Sequence, residues 1–449
     1  MNDWSEAEHR VEKAQRFFEQ RKWGEALREL QLATSVNPYN SSWFFNMGLI
    51  LDELGRFEEA ADAYEHASRI DPHDLATLNH LGVAQFRMGR LEPAVTTFRQ
   101  IESLDPSYEP SYCNRILIYS QLGQHDLAEE MFYTARLYKE HCPHCFYNMG
   151  VSLEARGLHD KAIFCWTRAL DLQGGQGDVY LRIGQALWKK GELEQARRSF
   201  LTDLRLNPGR TRTLLDLGEL LLDMGRQEEA GEKFRRAIEL APSEAGGHYH
   251  LGRLLFKIGS EDQALECFAT ALVLDPTFVG ANLGLGRIYY RRHCLTDARR
   301  HLRAELQLRP QNPRILLELG NLLMDCGESR SALVCLKWLV GVDPEYIPGW
   351  LNLAVTQFAR GHWQEGIASC MTALTKDSQN GMAMHNLALA YERLGQYRSA
   401  LTWVRRAQLV CVNDAALQRL ELRVRLLWIR ARTVKIAHQV RLVLPWLRR

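Results

Sequence analysis

The chain has 449 residues, 46% apolar and 24% charged, with a formal net charge of +2. That is enough apolar material for a large buried core, and so even a balance gives no electrostatic reason to expect a nucleic-acid partner. Ten cysteines are scattered without framework spacing, which fits a reducing compartment better than a disulfide-built scaffold.

The first residues, MNDWSEAEHRVEK, are acidic and then mixed. They lack a basic start followed by an apolar stretch, so no secretory signal is expected. The longest charge-free run, Leu30 to Leu51, is interrupted by Pro38 and several Asn and Ser, unlike an ordinary membrane span. A cytoplasmic protein is expected.

After a six-residue lead (1–6), one period governs residues 7–414. Steps of 34 from Ala14 meet Gly48, Gly82, Ile116, Gly150, Gly184, Gly218, Gly252, Gly286, Gly320, Ala354 and Ala388. Twelve residues on, a second ladder runs from Ala26 to Ala400 and holds alanine at every step but Gly366. A third, partial ladder places Pro38, Pro72, Pro106, Pro208, Pro242, Pro276, Pro310 and Pro344. The period predicts twelve units, beginning at Ala7, Ser41, Leu75, Glu109, Pro143, Gly177, Thr211, Ala245, Val279, Pro313, Ile347 and Gly381.

One unit, 211–244, shows the physics. Leu214, Leu217 and Leu221 have helical spacing around Gly218, and Gly225 ends that helix. Ala230, Phe234, Ala237 and Ile238 share one face of a second helix, which Pro242 stops because proline lacks the N–H a helix interior needs. Small residues at the eighth and twentieth places let the two helices approach. One such hairpin cannot bury its apolar face alone, so neighbours must stack.

This pattern resembles the tetratricopeptide repeat family. The resemblance implies an all-α solenoid: a right-handed superhelix of twelve 34-residue helix-turn-helix repeats plus a C-terminal capping helix, with a groove lined by the first helix of each hairpin. It implies a non-catalytic scaffold or adaptor that binds other proteins through extended segments.

In chain order, the irregular points are these. Arg21 and His293 stand where the first and ninth units should have a turn glycine, and Ile116 breaks the glycine ladder in the fourth. At the next join the chain reads KEHCPHCFYNMG. Cys142 and Cys145 there read as structural residues, as part of a metal knuckle flanked by His141 and His144, or as a redox pair. Zinc wants four ligands and no second Cys-x-x-Cys exists, so no metal or other cofactor is expected. Cys165, Cys267 and Cys335 share one place on the second helix and read as small buried residues. The stretch DLQGGQGD reads either as an ordinary turn or as a soft joint near 173–178. No phosphate loop, His-Glu-x-x-His or nucleophile elbow occurs, so an enzyme is not expected, nor a small-molecule ligand.

In the family the groove is lined chiefly by places 2, 5, 6, 9, 12 and 13. Place 6 gives Asn46, Asn114, Asn148, Asn352 and Asn386. This is similar to the asparagine ladder in the repeat region of O-linked N-acetylglucosamine transferase, which holds an extended peptide by its backbone. An amide both donates and accepts, so it can pair with any peptide unit. Glu12, His80, Arg182, Asp216, His250, Gly284 and Glu318 interrupt the ladder. Between its ends, Lys189, Arg253, Lys257, Arg287, Arg291 and Arg314 are expected to face inward among Glu219, Asp223 and Asp325, with Phe256 and Tyr290 at place 12. Such a zone would favour acidic segments. The lysine at place 5 of the family's carboxylate clamp is absent.

Residues 415–449 carry nine Lys or Arg against Glu421 alone. Leu417, Leu420, Val424, Leu427, Ala431 and Val434 form one helical stripe, and Leu422, Leu426, Ile429, Ile436 and Val440 another. This basic amphipathic helix reads as a cap for the last hairpin or as a contact for a membrane or partner, with the end from Val434 through Pro445 and Trp446 the freer part.

Overall fold

The computed structural model describes residues 3–173, 177–412 and 414–443. Among the described residues there are 25 α-helices and no strand. They alternate with short turns from Asp3–Glu19 to Tyr397–Val410, and the longer Ala415–Val443 follows. The fold is an all-α solenoid. The chain forms two compact units, Met1–Met224 and Gly225–Arg449. The division falls between Thr211–Asp223 and Gln227–Leu240. In the stretch near 173–178, which reads as a turn or a soft joint, residues 174–176 lie outside the described ones.

Turn chemistry closes the hairpins. Gly55, Gly89, Gly123 and Gly157 take φ between +71° and +73°, the left-handed region that ends a helix without a Cβ clash. Arg21 and His293 replace this glycine yet adopt the same conformation, at +57° and +58°. At the other end, the aspartate before the ladder proline folds the chain over: Asp105 Oδ1 accepts the Ser107 N–H at 2.9 Å.

The eighth place is small because the twenty-fourth is large. A Cβ on Gly48 would lie 2.4 Å from the Tyr64 ring, one on Gly82 2.7 Å from Phe98, and one on Gly184 2.5 Å from Phe200. At Ala354 and Ala388, where alanine replaces glycine, the twenty-fourth place shrinks to Cys370 and Val404, both fully buried, while Ala14 faces the buried Leu30. Ile116 is the exception. Opposite it, Phe132 packs edge-on against Phe146 of the next hairpin, centroids 5.3 Å apart.

The ninth hairpin departs from the pattern. Its first helix, Ala281–Arg291, starts two residues later than the Val279 the period predicts, after Gly280 at φ +97°. The fully buried Glu305 accepts the N–H groups of Gly280 and Leu283 at 2.7 and 3.1 Å. A carboxylate thus supplies the acceptor that this helix start needs. Burial pushes its pKa up, and the backbone donors pull it back.

Leu417, Leu420 and Val424 of Ala415–Val443 are buried. They pack on Met384, Ala388, Ala400, Val404 and Ala407, so this part of the helix covers the last hairpin. Leu422, Leu426 and Ile429 on the neighbouring stripe remain exposed. The side chains of Ile436 and Val440, and Pro445 and Trp446, lie outside the described residues. No described helix is long and apolar enough to cross a membrane.

Candidate interaction surface

Side chains at place 6 reach back to the preceding hairpin. Asn114 Nδ2 donates to Asn79 Oδ1 at 3.1 Å, Asn148 Nδ2 to the Cys113 carbonyl at 2.8 Å, and Asn352 Nδ2 to Asn321 Oδ1 at 2.9 Å. Residues that interrupt the ladder do the same work. Arg182 Nε donates to the Tyr147 hydroxyl at 2.7 Å, Asp216 accepts from Gln185 at 2.6 Å, and Glu318 pairs with Arg287 at 2.6 Å. His80 instead lies between Phe45 and Tyr64, ring centroids 5.3 and 5.4 Å away, and its burial lowers its pKa.

The expected row of open amides is therefore corrected in one place. Asn148 is 7% exposed and committed inward, so it is not free to grip a peptide. Asn46 is exposed, on the rim of a cleft of about 250 Å³ lined with Val11, Phe18 and Leu49. Asn386 is half-buried. Sequence reasoning missed these staples because the partners differ in type and stand 31 or 35 residues away. Reading places 5 and 9 of the preceding unit beside each place 6 would have found them.

In the second unit the arginines gather around an aromatic ring. The Arg287 and Arg291 guanidinium carbons lie 4.9 and 4.4 Å from the Phe256 centroid, and Arg253 lies 5.7 Å from that of Tyr249. Guanidinium over an aromatic face is a favourable contact that also fixes the long side chain. Tyr290 is half-buried and packs on the core around Leu316 and Leu319.

The zone is less basic than its composition implies. Arg287 pairs with Glu318 at 2.6 Å and Arg291 with Glu261 at 3.1 Å. Lys257 and Arg314 are exposed and have no ion pair among the described residues. Lys189 belongs to the first unit and pairs there with Glu154.

The cysteine expectation also needs correction. Cys145 is joined by a disulfide to Cys113, not to Cys142. Adjacent first helices bring place 5 of the fourth unit against place 3 of the fifth, a proximity that the scattered spacing hides. Cys142 remains a fully buried thiol, 3.5 Å from Cys113 Sγ, and accepts the Cys145 N–H at 3.3 Å as the helix N-cap. Burial and the adjacent Glu109 push its pKa up to about 11. Cys165 and Cys335 are buried as expected, and Cys267 is half-buried.

A scaffold of stacked helical hairpins is the class this geometry defines. A tetratricopeptide repeat model matches residues 11–75, 181–245 and 249–313, and a second one residues 53–112. The chain belongs to the tetratricopeptide repeat family. A domain of unknown function, DUF6340, matches 352–423. Among solved structures, yeast Tom70 is similar at 16% identity over 95% of this chain and 96% of that one, with a TM-score of 0.42. A tetratricopeptide repeat protein from Parabacteroides merdae is 18% identical over 56% of this chain and 99% of its own, at 0.48. The Cut9 and Hcn1 complex of the APC/C is 14% identical over 94% and 96%, at 0.42.

Proposed function

We infer that this chain is a non-catalytic adaptor that holds extended, acidic segments of other proteins on the first-helix face of its repeats. The observation that carries the reading is Phe256 under Arg287 and Arg291, in the unit that also exposes Lys257 and Arg314. The ring holds two guanidinium forks in a fixed geometry, and each fork already binds a carboxylate, that of Glu318 or Glu261. A partner's carboxylate would compete for those forks and add Lys257 and Arg314, giving electrostatic capture with little side-chain ordering cost. Away from this zone, Asn46, Asn114, Asn352 and Asn386 would pair with peptide units. Asn114 and Asn352 exchange their bonds to Asn79 and Asn321 in doing so. The Asn46 cleft would take an apolar side chain.

The test is fluorescence anisotropy with a labelled glutamate-rich peptide and a glutamine-rich peptide of equal length. Tighter binding of the acidic peptide, weakened at least about tenfold by Arg287→Glu with Arg291→Glu and by rising salt, supports the reading. Equal binding of both peptides sinks it.

A second reading rests on the exposed Leu422, Leu426 and Ile429, which stand 61%, 59% and 56% accessible among the arginines of the C-terminal helix. An apolar stripe with basic flanks suits an anionic membrane surface. Flotation with anionic vesicles that is lost in Leu422→Glu with Leu426→Glu supports it, and flotation unchanged by that variant removes it.

A further inference from the structure

Glu109, Cys113, Cys142 and Cys145 converge at the start of two neighbouring first helices, Glu109–Gln121 and Pro143–Ala155. Their ligand atoms all lie within 4.8 Å of one another. Two come from a Cys-x-x-Cys turn, and two from one helix face at positions i and i+4. A knuckle opposed by a helical pair is how small structural metal sites collect four ligands.

We propose that, in the reduced protein, Cys113, Cys142, Cys145 and Glu109 form a Zn²⁺ site that the Cys113–Cys145 disulfide switches off. Three independent features point to it. The first is the ligand set, in which three thiolates and one carboxylate suit a borderline-soft tetrahedral ion better than a hard or a purely soft one. The second is distance. Glu109 Oε1 stands 3.2 Å from Cys145 Sγ, and Cys113 Sγ 3.5 Å from Cys142 Sγ. Zinc with bonds of about 2.0 Å to oxygen and 2.3 Å to sulfur spans ligand–ligand edges of roughly this size. The third is chemical. Glu109 Oε1 also lies 2.8 Å from Cys113 Sγ, yet neither disulfide sulfur carries a proton to donate. Reduction would turn these two sulfurs into thiols facing the same carboxylate that the Cys142 thiol already reaches, a set of four groups that one shared cation would satisfy.

The surroundings complete a closed site. The three cysteines are at most 4% exposed and the Glu109 side chain 12%. The Cys145 N–H already donates to Cys142 Sγ, and Lys139 Nζ stands 4.0 Å from Glu109. Both offset negative charge on the ligands. With four protein ligands and no open position, the ion would be structural. It would pin the fourth hairpin to the fifth at the residue whose carbonyl holds Asn148.

The chemistry balances. A dithiol reductant gives two electrons and two protons to the Cys113–Cys145 bond, yielding two thiols, and is itself oxidised to a disulfide. Zn²⁺ then displaces three thiol protons and binds the carboxylate as it stands. Oxidation reverses the order: the ion leaves, two thiolates lose two electrons to a disulfide oxidant, and the Cys113–Cys145 bond re-forms. This proposal stands apart from the peptide-binding reading.

The test uses the full chain, reduced with a non-chelating phosphine, and Zn²⁺ alone. A competing chromophoric chelator reads affinity, and Co²⁺ reads ligation through its thiolate charge-transfer absorption. The expected result is one equivalent bound by the reduced protein. Binding should weaken at least about tenfold after disulfide formation and in both Cys142→Ser and Glu109→Gln. The isosteric Glu109→Gln guards against a folding defect in the cysteine variant, with circular dichroism checked for each. Equal affinity in the reduced and disulfide forms overturns the proposal. So does a helical Glu109→Gln that binds as well as wild type, or reduced wild type without thiolate absorption.

Discussion

Gly150 and Trp166 share one space: a Cβ on Gly150 would lie 2.4 Å from the Trp166 indole nitrogen, which donates to the Tyr147 carbonyl at 3.2 Å. The ring is 1% exposed and has no room to retreat. Gly150→Ala is expected to destabilise the fold by about 1–3 kcal/mol through overpacking. A lowered urea midpoint checks this. Adding Trp166→Leu to that variant should recover part of the loss, because it frees the volume.

His293 holds a left-handed turn at φ +58° where other hairpins use glycine. A non-glycine residue there costs roughly 1–2 kcal/mol, and glycine returns part of that as unfolded-state entropy. His293→Gly is therefore expected to raise stability by about 0.5–1 kcal/mol. Thermal melting of wild type and variant reads the sign directly.

His301 stacks on Tyr289 with ring centroids 5.5 Å apart, and its Nδ1–H donates to Asn282 Oδ1 at 2.9 Å. Burial, with Arg300 adding to it, lowers its pKa below the usual 6.5. The folded state thus prefers the neutral ring, and the unfolded chain takes the proton first. Its contribution is complete above pH 6.5 and is lost as pH falls through the lowered value. Urea midpoints measured from pH 7.5 to 5 should fall less steeply in His301→Gln than in wild type.

Cys335 and Cys370 are fully buried, and burial alone pushes each thiol up to about 12. Cys294 is exposed. Brief alkylation of the native protein at pH 8 is expected to modify Cys294 and spare the other two by at least about a hundredfold in rate, since the thiolate is the reactive form. Peptide mass spectrometry gives the ratio. Under non-reducing denaturation, Cys113 and Cys145 should still resist the reagent.

Much of this was legible in the sequence, because a 34-residue repeat states the same packing rule again and again. Gly48, Gly82 and Gly184 announce a close approach without naming what fills it, and the structure supplies Tyr64, Phe98 and Phe200. The first-helix starts from the second unit on were legible to the residue except at Val179 and Ala281, each two residues late. The reason is visible at Ala281. There the acceptor is Glu305, 25 residues from Gly280 and at a place usually held by a small residue. The proposed site was legible only in part. Place 6 stands out in the sequence, but not that Asn148 turns inward. The arginines stand out too, but not that Glu318 and Glu261 already hold two of them. Such pairings depend on the residues of the neighbouring repeat, and a period conceals them.

If the repeats capture acidic, extended segments as proposed, Phe256, Arg287 and Arg291 should decide which peptides bind. The most direct measurement is selection from a displayed random-peptide library on wild type and on the Arg287→Glu, Arg291→Glu variant in parallel. Wild type should enrich peptides rich in Asp and Glu, and the variant should lose that enrichment. Wild-type peptides without acidic enrichment, or the same consensus on both proteins, would contradict it.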